Sequence, residues 1–231
     1  MTANHIEQPP ADNCLVLMFK APERSKRRLA TQIGALAATA ADHLCRCALE
    51  DMREWSGSIC FAAADEADSS WLVSCLGVGD LIVLQQGTNL GERINHVNRT
   101  LWSRGFSRQI FIGIDCPQLD ASYLRRAALE LTDNDVILGP AADGGVVLMG
   151  TRQRWPDLSK LPWSSDNLMA ELGRLCEAQD WTTVKLEPLV DVDSVEDLTR
   201  IGGLIRHDTR PARRAFSAWL SRQGNHLHPP S

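Results

Sequence analysis

Carboxylates and cations are the residues in this chain best suited to chemistry, and they recur at particular places along it. Asp191-Val192-Asp193 spaces two carboxylates so that an extended backbone turns both to one side. A pair of that kind suits a divalent ion. Asp193 fits a second role equally well, as the cap of a following helix with Glu196 three residues on. Asp115, in Gly113-Ile114-Asp115-Cys116-Pro117, closes an apolar run and suits a hard cation, because Asp120 is better placed to cap the next helix. Residues 20–28 hold Lys20, Arg24, Lys26, Arg27 and Arg28 ahead of a helix, a combination that favours phosphate; the alternative is a solvated basic loop. Asn89 and Glu92 read as a helix cap and its partner, whereas Arg93 on the first turn is not explained by capping and is free to face a ligand. Asp143-Gly144-Gly145 places two glycines where the backbone needs positive φ or close approach to a ligand, or simply a hairpin turn.

Other chemistries lack their signatures. Neither G-x-x-x-x-G-K-[ST] nor G-x-G-x-x-G occurs, and no G-x-S-x-G elbow supports a serine nucleophile. The seven cysteines (Cys14, Cys45, Cys47, Cys60, Cys75, Cys116 and Cys176) form no C-x-x-C pair, and none of the six histidines pairs at metal spacing. A metal-dependent phosphohydrolase finds neither nucleophile nor metal cluster here.

These scattered residues need a frame that gathers them. Short apolar runs at residues 14–19, 58–63, 81–84, 109–114, 136–138, 146–149 and 182–186 read as strands. Helical patterns at 33–55, 67–76, 91–105, 122–131, 165–178 and 195–205 lie between and after them. This alternation implies an α/β domain, three-layered, with a mostly parallel sheet covered by helices on both faces. In such a sheet ligands sit beyond the carboxyl ends of the strands, which is where the charged clusters fall. Residues 1–12 are expected to be a flexible leader, 13–205 the domain, and 206–231 a basic C-terminal appendage. Within the last, residues 212–222 suit an amphipathic helix with Phe216, Trp219 and Leu220 on one side. It reads as a docking helix or part of a homodimer contact, with binding to a membrane surface as the alternative.

Composition narrows the field further. With 231 residues, 44% hydrophobic, 23% charged and net charge −5, the chain is an ordinary globular sequence rather than a disordered one. Residues 206–231 carry five arginines against Asp208, a local +4, which leaves −9 on the remainder. An acidic body argues against nucleic acid as a partner but not against a small polyanion. No stretch reaches the roughly 20 apolar residues of a membrane span, and the polar first 13 residues carry no secretory core. With an odd number of cysteines, a reduced, cytoplasmic protein is expected.

Taken in chain order, K-A-P, K-x-R-L, N-L-G-E-R, G-x-D-C-P, G-P-x-x-D-G-G, P-W-S-S and D-V-D-S-x-E-D-L resemble one bacterial family across residues 15–204. It is the radical-SAM/selenodomain-associated transferase family, of GT-A fold and glycosyltransferase-like. The sequence is similar, more distantly, to 2-phospholactate guanylyltransferase and the molybdenum-cofactor nucleotidyltransferases. The D-V-D-S run also resembles the nucleophile motif of haloacid-dehalogenase-like phosphatases, but there it follows the first strand and here it lies near the domain's end.

The resemblance implies a nucleotide-diphospho-sugar-transferase fold. It makes Lys20, Lys26 and Arg28 phosphate contacts, and places Asn89, Gly91 and Arg93 beside the nucleotide. It makes Asp115 and Asp193 the metal carboxylates with Asp191 as their helper, and Asp143-Gly144-Gly145 the acceptor-side turn. The family's first loop reads K-A-P-x-P-G-x-x-K-T-R-L; here it is two residues shorter and lacks Pro-Gly, with Arg24 and Arg27 as extra cations. Val146 and Val147 replace two tyrosines that commonly follow D-G-G. The expected protein is a metal-dependent transferase using Mg²⁺ or Mn²⁺. It takes a glycosyl group from a nucleotide-sugar, or a nucleotidyl group from a nucleoside triphosphate, and passes it to a small-molecule acceptor. Asp143 and Arg28 are the candidate catalytic residues. A non-catalytic nucleotide-binding or regulatory module on the same scaffold is the alternative. The transferase reading requires Asp115 and Asp193 to converge.

Overall fold

The run Asn13–Phe19 carries no polar side chain after Asn13, so it forms a strand, β1, that tolerates burial on both faces. A computed structural model describes residues 13–223; the expected leader at 1–12, the last residues of the basic tail, and His5, His226 and His228 lie outside the described residues. After β1 come α1 (Arg27–Ile33), α2 (Leu36–Glu54), β2 (Ser58–Ala63), α3 (Glu66–Leu72), β3 (Leu81–Leu84) and α4 (Leu90–Ser103). The chain continues through β4 (Arg108–Ile112), α5 (Ala121–Asp133), β5 (Val136–Pro140), β6 (Val146–Thr151), α6 (Leu168–Glu177), β7 (Thr183–Lys185), α7 (Val195–Leu204) and α8 (Pro211–Gln223).

The sheet order is β3-β2-β1-β4-β6-β5-β7. All its pairings are parallel except those of β6, which runs antiparallel to both β4 and β5. Because β6 is reversed, it begins at the rim where the parallel strands end. That reversal brings the Asp143-Gly144-Gly145 turn to the ligand end of the sheet.

Alternation along β1 builds two cores. Leu15, Leu17 and Phe19 pack with α2 and α5 on one face, while Cys14 and Val16 pack with Ile94 and Val97 of α4 and Leu172 of α6 on the other. Helix α2 is apolar on two sides. Cys45, Ala48 and Met52 face the sheet; Ala40, Leu44 and Cys47 face outward into a third cluster with α1, α7 and α8. The outward side is covered by Phe216, Trp219 and Leu220, the residues expected on one side of the C-terminal helix.

In the arrangement of helices, sequence and structure differ at the first loop and at the basic tail. The helical pattern expected from residue 33 starts earlier: residues 27–33 form a separate helix, α1, divided from α2 at Gly34, whose φ of +55° breaks the helical run. The basic tail is not all surface: Arg213 is fully buried and donates to the Cys47 carbonyl at 2.6 Å, the Leu119 carbonyl at 3.1 Å and Glu50 at 2.9 Å, and it also pairs with Asp51. Among the described residues no helix is long and apolar enough to cross a membrane.

Candidate functional site at the strand ends

Two segments far apart in sequence are joined by one backbone contact. The Val192 N–H donates to the Asp115 carbonyl at 2.9 Å, so the D-V-D segment lies along the loop that leaves β4. Val192 itself is buried in the third core cluster beside Leu29 and Leu198. Its burial turns Asp191 and Asp193, its neighbours on either side, toward the rim, as alternation along an extended chain requires.

The carboxylates of Asp115 and Asp193 converge on a single cation, and that cation is a side chain. Lys26 Nζ lies 2.7 Å from Asp115 Oδ1 and 2.9 Å from Asp193 Oδ1, and it also donates to the Val192 carbonyl. An ammonium has three N–H donors, so these contacts use all of them. The Lys26 side chain is 5% exposed, whereas both carboxylates are 43% exposed. Burial disfavours its charge, but the two aspartates outweigh burial and raise its pKa. Burial likewise opposes ionisation of Asp193, yet Lys26 and then Arg28 hold it below the usual carboxylate range. Asp191 shows the opposite balance: burial, then the charges of Asp143, Asp193 and Asp115, push it up to about 6.

Among the described residues no group of three or more His, Cys, Asp or Glu is arranged to hold a metal ion by itself. The donor set nevertheless fits a hard cation that brings further ligands with it, since a cationic group already stands between the two carboxylates. Mg²⁺ is commonly held by one or two carboxylates together with substrate phosphates.

Two cavities adjoin at this point. The first is walled by Met18, Ile94, Phe111, Trp163 and Leu168, with Asp115, Asp143, Asp191, Asp193 and Arg28 about its mouth. The second is basic and contains Lys20, Arg24, Ser25, Lys26, Arg27 and Arg28, with Asp115 and Asp193 again at its edge. Arg28 lines both cavities, and its Nη1 lies 3.6 Å from Asp193 Oδ2.

Several expected site residues are engaged elsewhere. Asn89 caps α4 by accepting from the Glu92 N–H at 3.0 Å, and its amide donates to the Ser159 carbonyl. Gly91 is a packing glycine, because a Cβ there would collide with the Leu158 carbonyl. Arg93 donates to the Gly87 carbonyl at 3.2 Å. None of these three lines either cavity, although Leu90 between them lines both. Asp193 is not a cap: Ser194 and Asp197 form the capping box of α7. Arg24 is committed to Asp65 and to the buried Asp68, so it fastens the first loop to α3. Its hydrogen bonds, ahead of its charge, hold Asp65 far below the usual range.

The Asp143-Gly144-Gly145 turn, expected on the acceptor side, is held by one of its own side chains. Asp143 Oδ1 accepts the Gly145 N–H at 2.9 Å, and Gly145 and Asp143 line the first cavity. Gly144, at φ +94°, has no room for a side chain because of the Asp166 carbonyl. Met18, Leu90, Trp163 and Ser164 also line the site but were not singled out from sequence, apart from the P-W-S-S landmark that contains two of them.

The model of a family described as uncharacterized proteins conserved in bacteria, DUF2064, matches residues 46–165, just over half of the chain. The chain belongs to this family. That agrees with the resemblance carried by its motifs. No curated protein matches. Among solved structures, the DUF2064 chain is similar to a proposed nucleotide-diphospho-sugar transferase from Desulfovibrio desulfuricans G20. The two share 24% identity at TM-score 0.79, over 94% of this chain and 97% of that one. It also superposes on a nucleotidyl transferase from Methanothermobacter at 17% identity and TM-score 0.52, covering 90% and 98% of the two chains. A cytidylyltransferase from Leptospira borgpetersenii matches at 12% identity and TM-score 0.52, covering 95% and 96%. The family member thus has the nucleotide-diphospho-sugar-transferase fold expected of it.

Proposed function

We propose that this protein is a transferase that takes a glycosyl or nucleotidyl group from a nucleotide donor and passes it to a small-molecule acceptor. The observation that carries this reading is the convergence of Asp115 and Asp193 at the point where a basic cavity meets a second, partly apolar one. The fold is shared with structures described as nucleotide-diphospho-sugar, nucleotidyl and cytidylyl transferases, which supports the class of reaction.

The basic cavity suits the donor's phosphates, with Lys20, Arg27 and Arg28 exposed toward it. Asp115 and Asp193, with Asp191 beside them, would hold Mg²⁺ or Mn²⁺, whose charge would stabilise the departing phosphates. Arg28, at the junction of the two cavities, meets the same developing charge from the protein side. Asp143 lies on the first cavity with its carboxylate fixed by the Gly145 N–H, positioned to orient the acceptor hydroxyl and take its proton. In glycosyl transfer, the acceptor oxygen attacks the sugar carbon and a nucleoside diphosphate leaves with the bonding pair. In nucleotidyl transfer, it attacks the α-phosphorus and pyrophosphate leaves.

Incubating the protein with nucleoside triphosphates or nucleotide-sugars and Mg²⁺ distinguishes the two by product. Release of nucleoside diphosphate marks the first reaction and release of pyrophosphate the second. Binding without either product marks a non-catalytic nucleotide-binding module. Asp115→Ala should abolish any gain in nucleotide affinity that Mg²⁺ confers, measured by calorimetry; an unchanged gain overturns the assignment of Asp115.

A further inference from the structure

The first loop places a lysine where a transferase of the proposed class needs its metal. Lys26 is buried between Asp115 and Asp193, and all three of its donors are spent on them and on the Val192 carbonyl. Its backbone stands at φ +51°, the left-handed region that an L residue with a long side chain enters only when something holds it there. Arg24, two residues earlier, is anchored to Asp65 and Asp68 on α3, and α1 begins at the very next residue, Arg27. Fixed on one side by that anchor and on the other by the helix, the loop presents Lys26 to the carboxylate pair.

We propose that Lys26 is a positioning residue that acts as a latch: it keeps Asp115 and Asp193 closed to free divalent metal, and it releases them when nucleotide phosphates enter the adjoining basic cavity. The inference rests on the transferase reading above. An ammonium and a divalent ion compete for the same oxygens, so metal affinity is reduced by the fraction of molecules in which the latch is closed. The basic cavity is contiguous with the latch, and Lys26 lines it. Phosphate oxygens there offer the ammonium alternative acceptors, which makes its release favourable only with nucleotide present. By linkage, nucleotide and metal then strengthen each other's binding by the same factor. The chain thereby avoids holding a bare metal ion in a half-formed site.

The test compares the wild-type protein with Lys26→Met and Lys26→Gln, the second of which keeps a donor for the Val192 carbonyl if the first fails to fold. Mn²⁺ binding is followed by water-proton relaxation, which separates protein-bound from nucleotide-bound metal. The measurement is made with Mn²⁺ alone and with Mn²⁺ plus CTP or GTP. The variants should bind Mn²⁺ alone about tenfold or more tightly than wild type, and wild type should recover that affinity when the nucleotide is added. Equal Mn²⁺ affinity in wild type and variants, or no binding to either, overturns the latch. Failure of wild type to bind any nucleotide, with or without metal, instead overturns the transferase reading and leaves the comparison of metal alone standing.

Discussion

Lys26, Arg24 and Arg28 belong to one basic stretch, yet each ends in different surroundings. Arg24 fastens the loop to α3, Lys26 is buried between two aspartates, and Arg28 stays exposed over both cavities. Residue type alone predicts phosphate binding for all three. Competition for nearby carboxylates divides them, because a cation that finds a buried acceptor is no longer available to a ligand. Asp135, away from the site, shows how much one satisfied carboxylate contributes. It accepts from Gln153 at 2.8 Å, from the Thr182 backbone at 3.0 Å and hydroxyl at 2.9 Å, and from Arg152 at 3.2 Å. Burial works against ionisation, but these hydrogen bonds outweigh it and bring the pKa down from 3.8 to about 2. A carboxylate whose folded pKa is depressed stabilises the fold above its unfolded pKa and loses that contribution as pH falls through the folded value. Asp135→Asn should therefore cost about 1–3 kcal/mol at neutral pH. The difference from wild type should close between about pH 4 and pH 2, as read from urea unfolding at several pH values. A gap that persists at pH 2 would assign the loss to packing instead.

At the scale of elements, helix ends divide cleanly between those legible in sequence and those decided by neighbours. Asn89 and Asp120 cap α4 and α5 as their positions ahead of helical patterns require. Asp193 is the counter-example, since Ser194 takes the cap and frees the carboxylate for Lys26. Helix α8 is the element whose role the sequence shows only in part. The sequence shows its apolar side and its basic character, but not where each arginine goes. Arg213 crosses to α2 and neutralises Asp51, which is itself fully buried and is also paired with Arg210 at 2.9 Å. Removing the guanidinium leaves a buried carboxylate short of a partner, so Arg213→Ala should destabilise the protein by about 3–5 kcal/mol. Arg213→Met combined with Asp51→Leu should recover only part of that loss, because an apolar pair replaces the ionic one while Glu50 and Arg210 each lose a partner. Chemical denaturation of the two variants measures both, and a loss below about 1 kcal/mol for Arg213→Ala would mean that α8 is held by its apolar face alone.

Across the whole molecule, the sheet serves as a rim on which residues from every region meet, and the outer cluster around α2 stabilises that rim from behind. Phe216, Trp219 and Leu220 close this cluster over Leu29, Val192 and Leu198, the apolar neighbours of the site segments. Burying each such side chain contributes about 1.5–3 kcal/mol. Three of them make up a large part of the roughly 5–15 kcal/mol by which a domain is stable. A chain ended at residue 205 should therefore lose cooperative unfolding in a thermal melt followed by circular dichroism. Cooperative melting near the full-length midpoint would show that α8 is an accessory to an independent domain.

The sequence by itself determined the succession of strands and of all the helices but α1, since periodicity and burial on both faces are local properties of residue type. It also determined that acidic residues follow two separated strand regions, since strand ends are marked by where apolar runs stop. Only the tertiary structure decided which charges remain available. Asp115, Lys26 and Asp193 are distant in the chain, and nothing in their own neighbourhoods records that an ammonium fits between the two carboxylates. Gly91 and Gly144 likewise look like ligand glycines in the sequence but are required by carbonyls from residues 158 and 166. Partner choice for a charge, and space for a Cβ, depend on groups the fold brings from elsewhere, and a local pattern carries no information about them.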